Sequence, residues 1–254
     1  MNTTRRFAAL TLITAAGLAA MGSAQAWSWS IGSERVNGSG EMSTETRDVG
    51  SFDAISVTGG FKVQVRQSSS HKVEIKTDKN LLPYLETKVV DGSKGRTLEI
   101  GPKRGYSLNA SNTPMISIDM AQLRAVAIAG SGDVRVEAMK TGELDASIAG
   151  SGDIRFEELN AERLALKIAG SGDIVASGRA ANLNVSVSGS GDVKARALVA
   201  EDAKVRIAGS GDVIVQANKK LDISIAGSGG VSYLGNPEIS MHTAGSGTVR
   251  KLNN

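Results

Sequence analysis

The chain has 254 residues, with 29 Lys and Arg against 26 Asp and Glu, two His, and a net charge of +3. Of its residues 41% are hydrophobic and only 4% aromatic; 30 are Gly and none is Cys. This excludes disulfides and a lipidated N-terminal Cys, and the near balance of charge gives no support to a nucleic-acid or anionic-membrane partner.

At the N-terminus, residues 1–26 combine a basic head at Arg5 and Arg6, an apolar run from about Phe7 to Ala20, and small residues at Ala24 and Ala26. The pattern predicts a secretory signal cut after Ala26. The run is too short and too rich in Ala for a membrane span, and the residues around the twin Arg fit the folded-protein export motif poorly. Cleavage removes two Arg and no acid, leaving 27 basic residues (29 minus 2) against 26 acidic ones in 228 residues (254 minus 26). No membrane span is expected after cleavage, and the product is placed in the periplasm, in the medium or at the cell surface. Residues 27–47, rich in Ser, Gly, Glu and Thr, read as a flexible leader.

Residues 48–124 read as an irregular β region. Strands are predicted around 52–57, 61–66, 72–76, 96–100 and 115–120, with a short helical turn over NLLPYLE at 80–86 near Pro83. Within it, VTGGFKV at 57–63 fits the frame of a seven-residue motif that recurs later, with Gly59 at the first Gly and Lys62 at the Asp. It reads as a degenerate opening coil.

From 125 to 250 the chain repeats. IAGSGDV stands at 128–134, and its first Gly returns as Gly130, Gly150, Gly170, Gly189, Gly209, Gly227 and Gly245, in steps of 20, 20, 19, 20, 18 and 18. The second Gly is Gly132, Gly152, Gly172, Gly191 and Gly211 in the first five copies. Between motifs the apolar residues alternate, as in Leu164, Leu166, Ile168, then Ile174, Ala176, which is strand periodicity. One coil of this size cannot bury its inner face alone, so coils must stack. The prediction is an all-β, right-handed parallel β-helix with coils of about 20 residues and an elaborated N-terminal third. Gly-Ser-Gly is then a tight corner, where neighbouring coils pass too close for a Cβ; a P-loop would need the Lys-Ser/Thr pair and a following helix. A second, looser corner of variable sequence falls at KTGE (140–143) and EDA (201–203). In the last copies the motif decays, and the tail Lys251–Asn254 reads as a polar cap.

Gly38-Ser39-Gly40, the RDVGSFDAISVTGGFKVQV segment at 47–65 and the tandem AGSGDV repeats together resemble the bacterial head GIN domain family, which carries the label "putative auto-transporter adhesin" and a domain of unknown function. The resemblance covers about residues 36–250. It implies a β-helical cell-envelope protein and supplies no catalytic residue.

Asp133, Asp153, Asp173, Asp192 and Asp212 follow the second corner Gly in five successive coils, which predicts a row of carboxylates about 4.8 Å apart. Such a row offers oxygen ligands to Ca²⁺. Two carboxylates at that spacing repel by only about 0.9 kcal/mol in water before screening, and Asp also accepts hydrogen bonds in turns. A turn role is therefore the first expectation and a Ca²⁺ site the second, with no other cofactor. Arg135, Arg155 and Lys194, two residues beyond their aspartates, are placed to neutralise the row. Catalysis needs differently tuned groups converging on one bond, and the evenly spread row, with His71 and His242 at opposite ends of the chain, does not supply them. A polysaccharide-acting β-helix enzyme is thus the weakest reading. The chain reads as a non-catalytic, adhesin-like binding or structural module, monomeric or weakly self-associating, with an envelope protein or glycan as partner. Phe156 falls at an inward position; Trp27 and Trp29 fall in the leader.

Overall fold

The structure, a computed structural model, describes residues 33–92 and 94–253. The predicted signal at 1–26 and the first part of the predicted leader lie outside the described residues. Strands β1 (Glu34–Asn37), β2 (Met42–Arg47), β3 (Ala54–Thr58), β4 (Lys62–Gln67) and β5 (Lys72–Asp78) lead to a 3₁₀ turn at Leu82–Tyr84. Then come β6 (Leu85–Gly92), β7 (Gly95–Pro102), β8 (Tyr106–Asn109), β9 (Met115–Met120) and β10 (Ala125–Gly130). The long strands β11 (Asp133–Gly150), β12 (Asp153–Gly170), β13 (Ile174–Gly189), β14 (Val193–Gly209) and β15 (Asp212–Gly227) follow, and β16 (Gly230–Leu234), β17 (Glu238–Gly245) and β18 (Thr248–Lys251) close the chain. There is no α-helix among the described residues.

Alternation decides the architecture. In β12, Leu164, Leu166 and Ile168 are buried while Lys167 between the last two and Ala169 after them are exposed; beyond the corner Ile174 and Ala176 are buried again. Each coil thus turns one face inward on both sides of its corner, and parallel pairing with the next coil continues that face into a column. Ile128, Ile148, Ile168, Val187, Ile207 and Ile225 stand in register on one wall. Val134, Ile154, Ile174, Val193 and Val213 do so on the other. The result is a β-solenoid of about 6 turns. Each fully buried aliphatic side chain contributes up to about 1.5–3 kcal/mol before chain entropy is subtracted, and Phe156 lies wholly in this core.

The strands differ from the predicted pattern in one respect. Each runs on through the loose corner, bending without ending, so that β11 and β12 are each 18 residues long. The ladder slips there instead: register shifts fall between Phe156 and Leu159, between Val175 and Ser177, and between Ala195 and Val199. These bulges absorb the difference between coils of unequal length.

In the N-terminal third, β3 pairs in parallel with β10 and β4 with β11, so Thr58 faces Ala129 and Lys62 faces Asp133. VTGGFKV is therefore an opening coil, as its frame predicts. Below it β7 adds to β3 and β9 to β4, still parallel. The ladder is then closed by antiparallel strands, β6 on β7, and β5 then β2 beyond β9. Leu81, Leu82 and Leu85, in and around the 3₁₀ turn, are buried against this end.

Two expectations are corrected. Residues 34–37 and 42–47, read as part of a flexible leader over 27–47, are strands: β1 pairs with β8 and β2 with β5. Their partners lie far along the chain, so Ser- and Gly-rich composition misrepresents them. The polar tail is no cap either. Leu252 N–H donates to the Tyr233 carbonyl and continues the wall, while Ile239 and Met241 stay 41% and 53% exposed above Leu221 and Ile223, which are buried.

Candidate functional site: the Gly-Ser-Gly-Asp corner

The first corner glycines adopt φ between +118° and +141° in the seven regular copies, a conformation costly for any residue with a Cβ. Space is the second constraint. A Cβ on Gly170 would overlap the carbonyl oxygen of Gly150, and one on Gly172 would overlap that of Gly152. Gly59 lies under Gly130 in the same way, 3.2 Å from where a Cβ would stand.

The corner amides point along the stack. Ser171 N–H and Gly172 N–H both donate to the Gly150 carbonyl, at 2.9 and 3.2 Å, and Ser190 and Gly191 repeat this on Gly170. The third amide, that of the Asp, is taken by the preceding Asp: Asp173 N–H donates to Asp153 Oδ1 (2.9 Å), Asp192 N–H to Asp173 Oδ1 (3.1 Å) and Asp212 N–H to Asp192 Oδ1 (2.9 Å). Gly230 N–H closes the series on Asp212 Oδ1 at 2.8 Å. A corner of this kind presents no outward row of N–H donors, which is what cradling a phosphate requires.

The structure therefore brings Asp153, Asp173, Asp192 and Asp212 into one ladder, with Asp133 below them facing Lys62. One oxygen of each of the four is spent on the next coil's backbone. Lys194 reaches into the row, its Nζ 2.6 Å from Asp173 Oδ2 and 3.8 Å from Asp192 Oδ2. The hydrogen bond to Asp173 raises the Lys194 ammonium above its ordinary pKa; partial burial opposes this and the charges of Asp173, Asp192 and Asp153 add to it. Arg135 and Arg155 do not neutralise the row as expected. Both turn to Glu157, at 3.3 and 4.0 Å, because that carboxylate lies further along the same outward face. Among the described residues no three His, Cys, Asp or Glu side chains converge as a metal-ligand group. His71 packs edge-on against Phe52 at the capped end, and His242 lies exposed on β17.

Three clusters carry the N-terminal third and escape sequence reading. Asp78 is buried and accepts hydrogen bonds from Gly40 N–H (2.6 Å) and Ser111 N–H (2.9 Å). Burial pushes its carboxyl up, but these hydrogen bonds outweigh it and hold the pKa below its ordinary value. Arg47 donates to the carbonyls of Leu82 and Leu85, fastening the 3₁₀ turn to β2. Lys94, in the turn between β6 and β7, bridges Glu143 and Asp145 of the first full coil, both at 3.0 Å. Hydrogen bonds from Lys94 and Arg163 lower the Glu143 pKa in return.

The solenoid has a wide likeness. The family model described as "Putative auto-transporter adhesin, head GIN domain" matches residues 51–237. A solved structure from Parabacteroides distasonis ATCC 8503, described as a "Putative lipid binding protein", is 29% identical over 87% of this chain and 100% of its own, with a TM-score of 0.71. Structures described as putative adhesins from Bacteroides fragilis NCTC 9343 and Parabacteroides merdae ATCC 43184 are each 24% identical. They cover 85% and 86% of this chain and 100% and 99% of their own, with TM-scores of 0.80 and 0.69, and show the same fold. No curated protein matches the chain.

Proposed function

This chain belongs to the head GIN domain family, and from that membership we propose that it is an exported, non-catalytic module of the cell envelope that binds through its outer walls, with a protein or glycan as partner. The filled interior carries this reading. Both walls turn buried aliphatic side chains toward each other from β10 to β15, so recognition falls to the outward rows, such as Arg135, Arg155 and Lys194 on one wall and Lys167 and Arg206 on the other. Photo-crosslinkers placed at Arg155 and at Lys167 should capture an envelope component from the exporting cell. No adduct at either wall, or turnover of an acidic polysaccharide by the purified chain, would sink the reading.

The Asp row is assigned to the turn, its oxygens serving backbone amides and Lys194. Thermal unfolding in chelator and in millimolar Ca²⁺ is expected to give identical curves. A Ca²⁺-dependent rise, lost when Asp153, Asp173 and Asp192 become Asn, would reassign the row as a cation site.

A second reading, lipid binding, takes support from the Parabacteroides distasonis relative and from one surface feature. Met115 on β9 is 49% exposed and stands in register between Lys62 on β4 and Lys76 on β5, an apolar group between two cations. Co-sedimentation with anionic vesicles that Met115→Glu abolishes would favour it.

A further inference from the structure

The two ends of the solenoid are finished differently. At the N-terminal end antiparallel strands and the 3₁₀ turn cover the core. At the other end β17 pairs only with β15, and β18 only with β16, so among the described residues each has one open edge. The inward face of β17 is uncovered as well, with Ile239 and Met241 exposed above the buried Leu221 and Ile223. An open strand edge beside exposed inner-face side chains is a template for one more strand. Charge says which strand. The coils beneath pair their charges, as Lys204 with Asp222 and Lys219 with Glu201. In the last coil Glu238 on β17 makes no ion pair or side-chain hydrogen bond among the described residues, whereas Arg250 and Lys251 on β18 meet only the neutral Ser232 and Asn236. One edge is thus acidic and the other basic, and neither finds its opposite within the chain.

β17 enters the tight corner Gly245-Ser246-Gly247 and β18 leaves it, so the two run in opposite directions. A two-fold axis parallel to the strands, set at the open end, keeps those directions while exchanging the walls. Each β17 then lies antiparallel beside β18 of the other copy, with tight corner on tight corner. A two-fold axis through the walls would instead lay tight corner over loose corner and set Arg250 and Lys251 against their own copies, and a head-to-tail stack would meet a covered core and never close. We propose that two copies of this chain join through their last coils in the crossed arrangement, β17 of each adding to β18 of the other. Val249 on β18 stacks on the buried Val231 and so faces inward, as Met241 does. In the register that sets Met241 opposite Val249 of the second copy, inner-face residues meet and Glu238 falls diagonally from Arg250, within side-chain reach. The two seams are equivalent and close together, and the outer walls stay open to whatever they bind.

The absence of Cys makes this directly testable. In that register His242 stands opposite Thr248, each one residue from an inward side chain and so on the outward face. Chains carrying His242→Cys are mixed with chains carrying Thr248→Cys and oxidised, and the linked peptides are identified by mass spectrometry. The expected product is a 242–248 disulfide between copies, with a dimer in analytical ultracentrifugation that grows no further at higher concentration. Glu238→Lys and Arg250→Glu should each weaken the dimer about tenfold, and the two together in one chain should restore it, a recovery that damage to the fold would not produce. Met241→Lys should abolish the dimer and leave the cooperative thermal transition in place. A monomer at every concentration, 242–242 or 248–248 links in place of 242–248, or no recovery in the double variant would overturn the proposal.

Discussion

The two corners of each coil obey different rules. At the tight corner the carbonyl of one Gly receives two amides from the next coil, the register never slips, and the letters Gly-Ser-Gly recur from coil to coil. At the loose corner the strand bends through, the register slips, and the sequence varies from KTGE to EDA. Close backbone approach repeated in one register, more than turn propensity, is what makes a repeat spell the same word. Where the ladder slips, the chain can change both letters and length.

The strongest way to break this contrast is to put a side chain into the tight corner. Gly170→Val or Gly172→Ala should cost about 3 kcal/mol or more, with the Val variant losing its cooperative thermal transition by circular dichroism. An unchanged melting profile would refute close coil stacking. A smaller effect is expected from the carboxylate beside the corner. Asp173→Ala removes the acceptor for Asp192 N–H and the partner of Lys194, a loss of about 1–2 kcal/mol in urea unfolding, whereas Asp173→Asn retains an acceptor oxygen and should lose less. The loose corner supplies the control. A Cβ on Gly142 meets no atom within 4 Å, so Gly142→Ala should lie within about 1 kcal/mol of the parent, on the stabilising side.

The tripeptide at 38–40 sharpens the comparison further, since it has the same letters and a different anchor. No coil lies against it; the Asp78 carboxylate takes the Gly40 amide, and Asn80 takes that of Ser39. The Asp78 pKa is depressed in the folded chain, so its contribution is present above the unfolded value and is lost as pH falls through the folded one. Hydrogen exchange at Gly40 and Ser111 should therefore accelerate below about pH 4 while the amides of Ser171 and Gly172 stay protected. Equal loss at both places would show that the two uses of Gly-Ser-Gly are not separate.

The regular part was open to reading because its determinants are local and repeated. A 20-residue step, period-two apolar residues and a fixed corner suffice to place Gly130 over Gly59 and Asp153 over Asp133. The N-terminal third depends on single contacts between distant segments. Gly40 and Asp78 are 38 residues apart, and Arg47 reaches its carbonyls across 35 and 38 residues. No spacing within either segment announces the other, so β1 and β2 look like leader. The same limit applied to Arg135 and Arg155: position placed them beside the aspartates, but rotamer reach gave them to Glu157.

The slipping register of the loose corner has a consequence for how such a molecule changes size. A stretch of 18, 19 or 20 residues fits the stack equally well, because the tight corner templates itself on the coil beneath and the loose corner absorbs the remainder. Gain or loss of one such stretch would move the exposed C-terminal end by about 4.8 Å and leave both the capped end and the neighbouring coils as they were. The coil is thus a unit of reach, and duplication within the gene adjusts the distance between the molecule's two ends in fixed increments without redesigning either one.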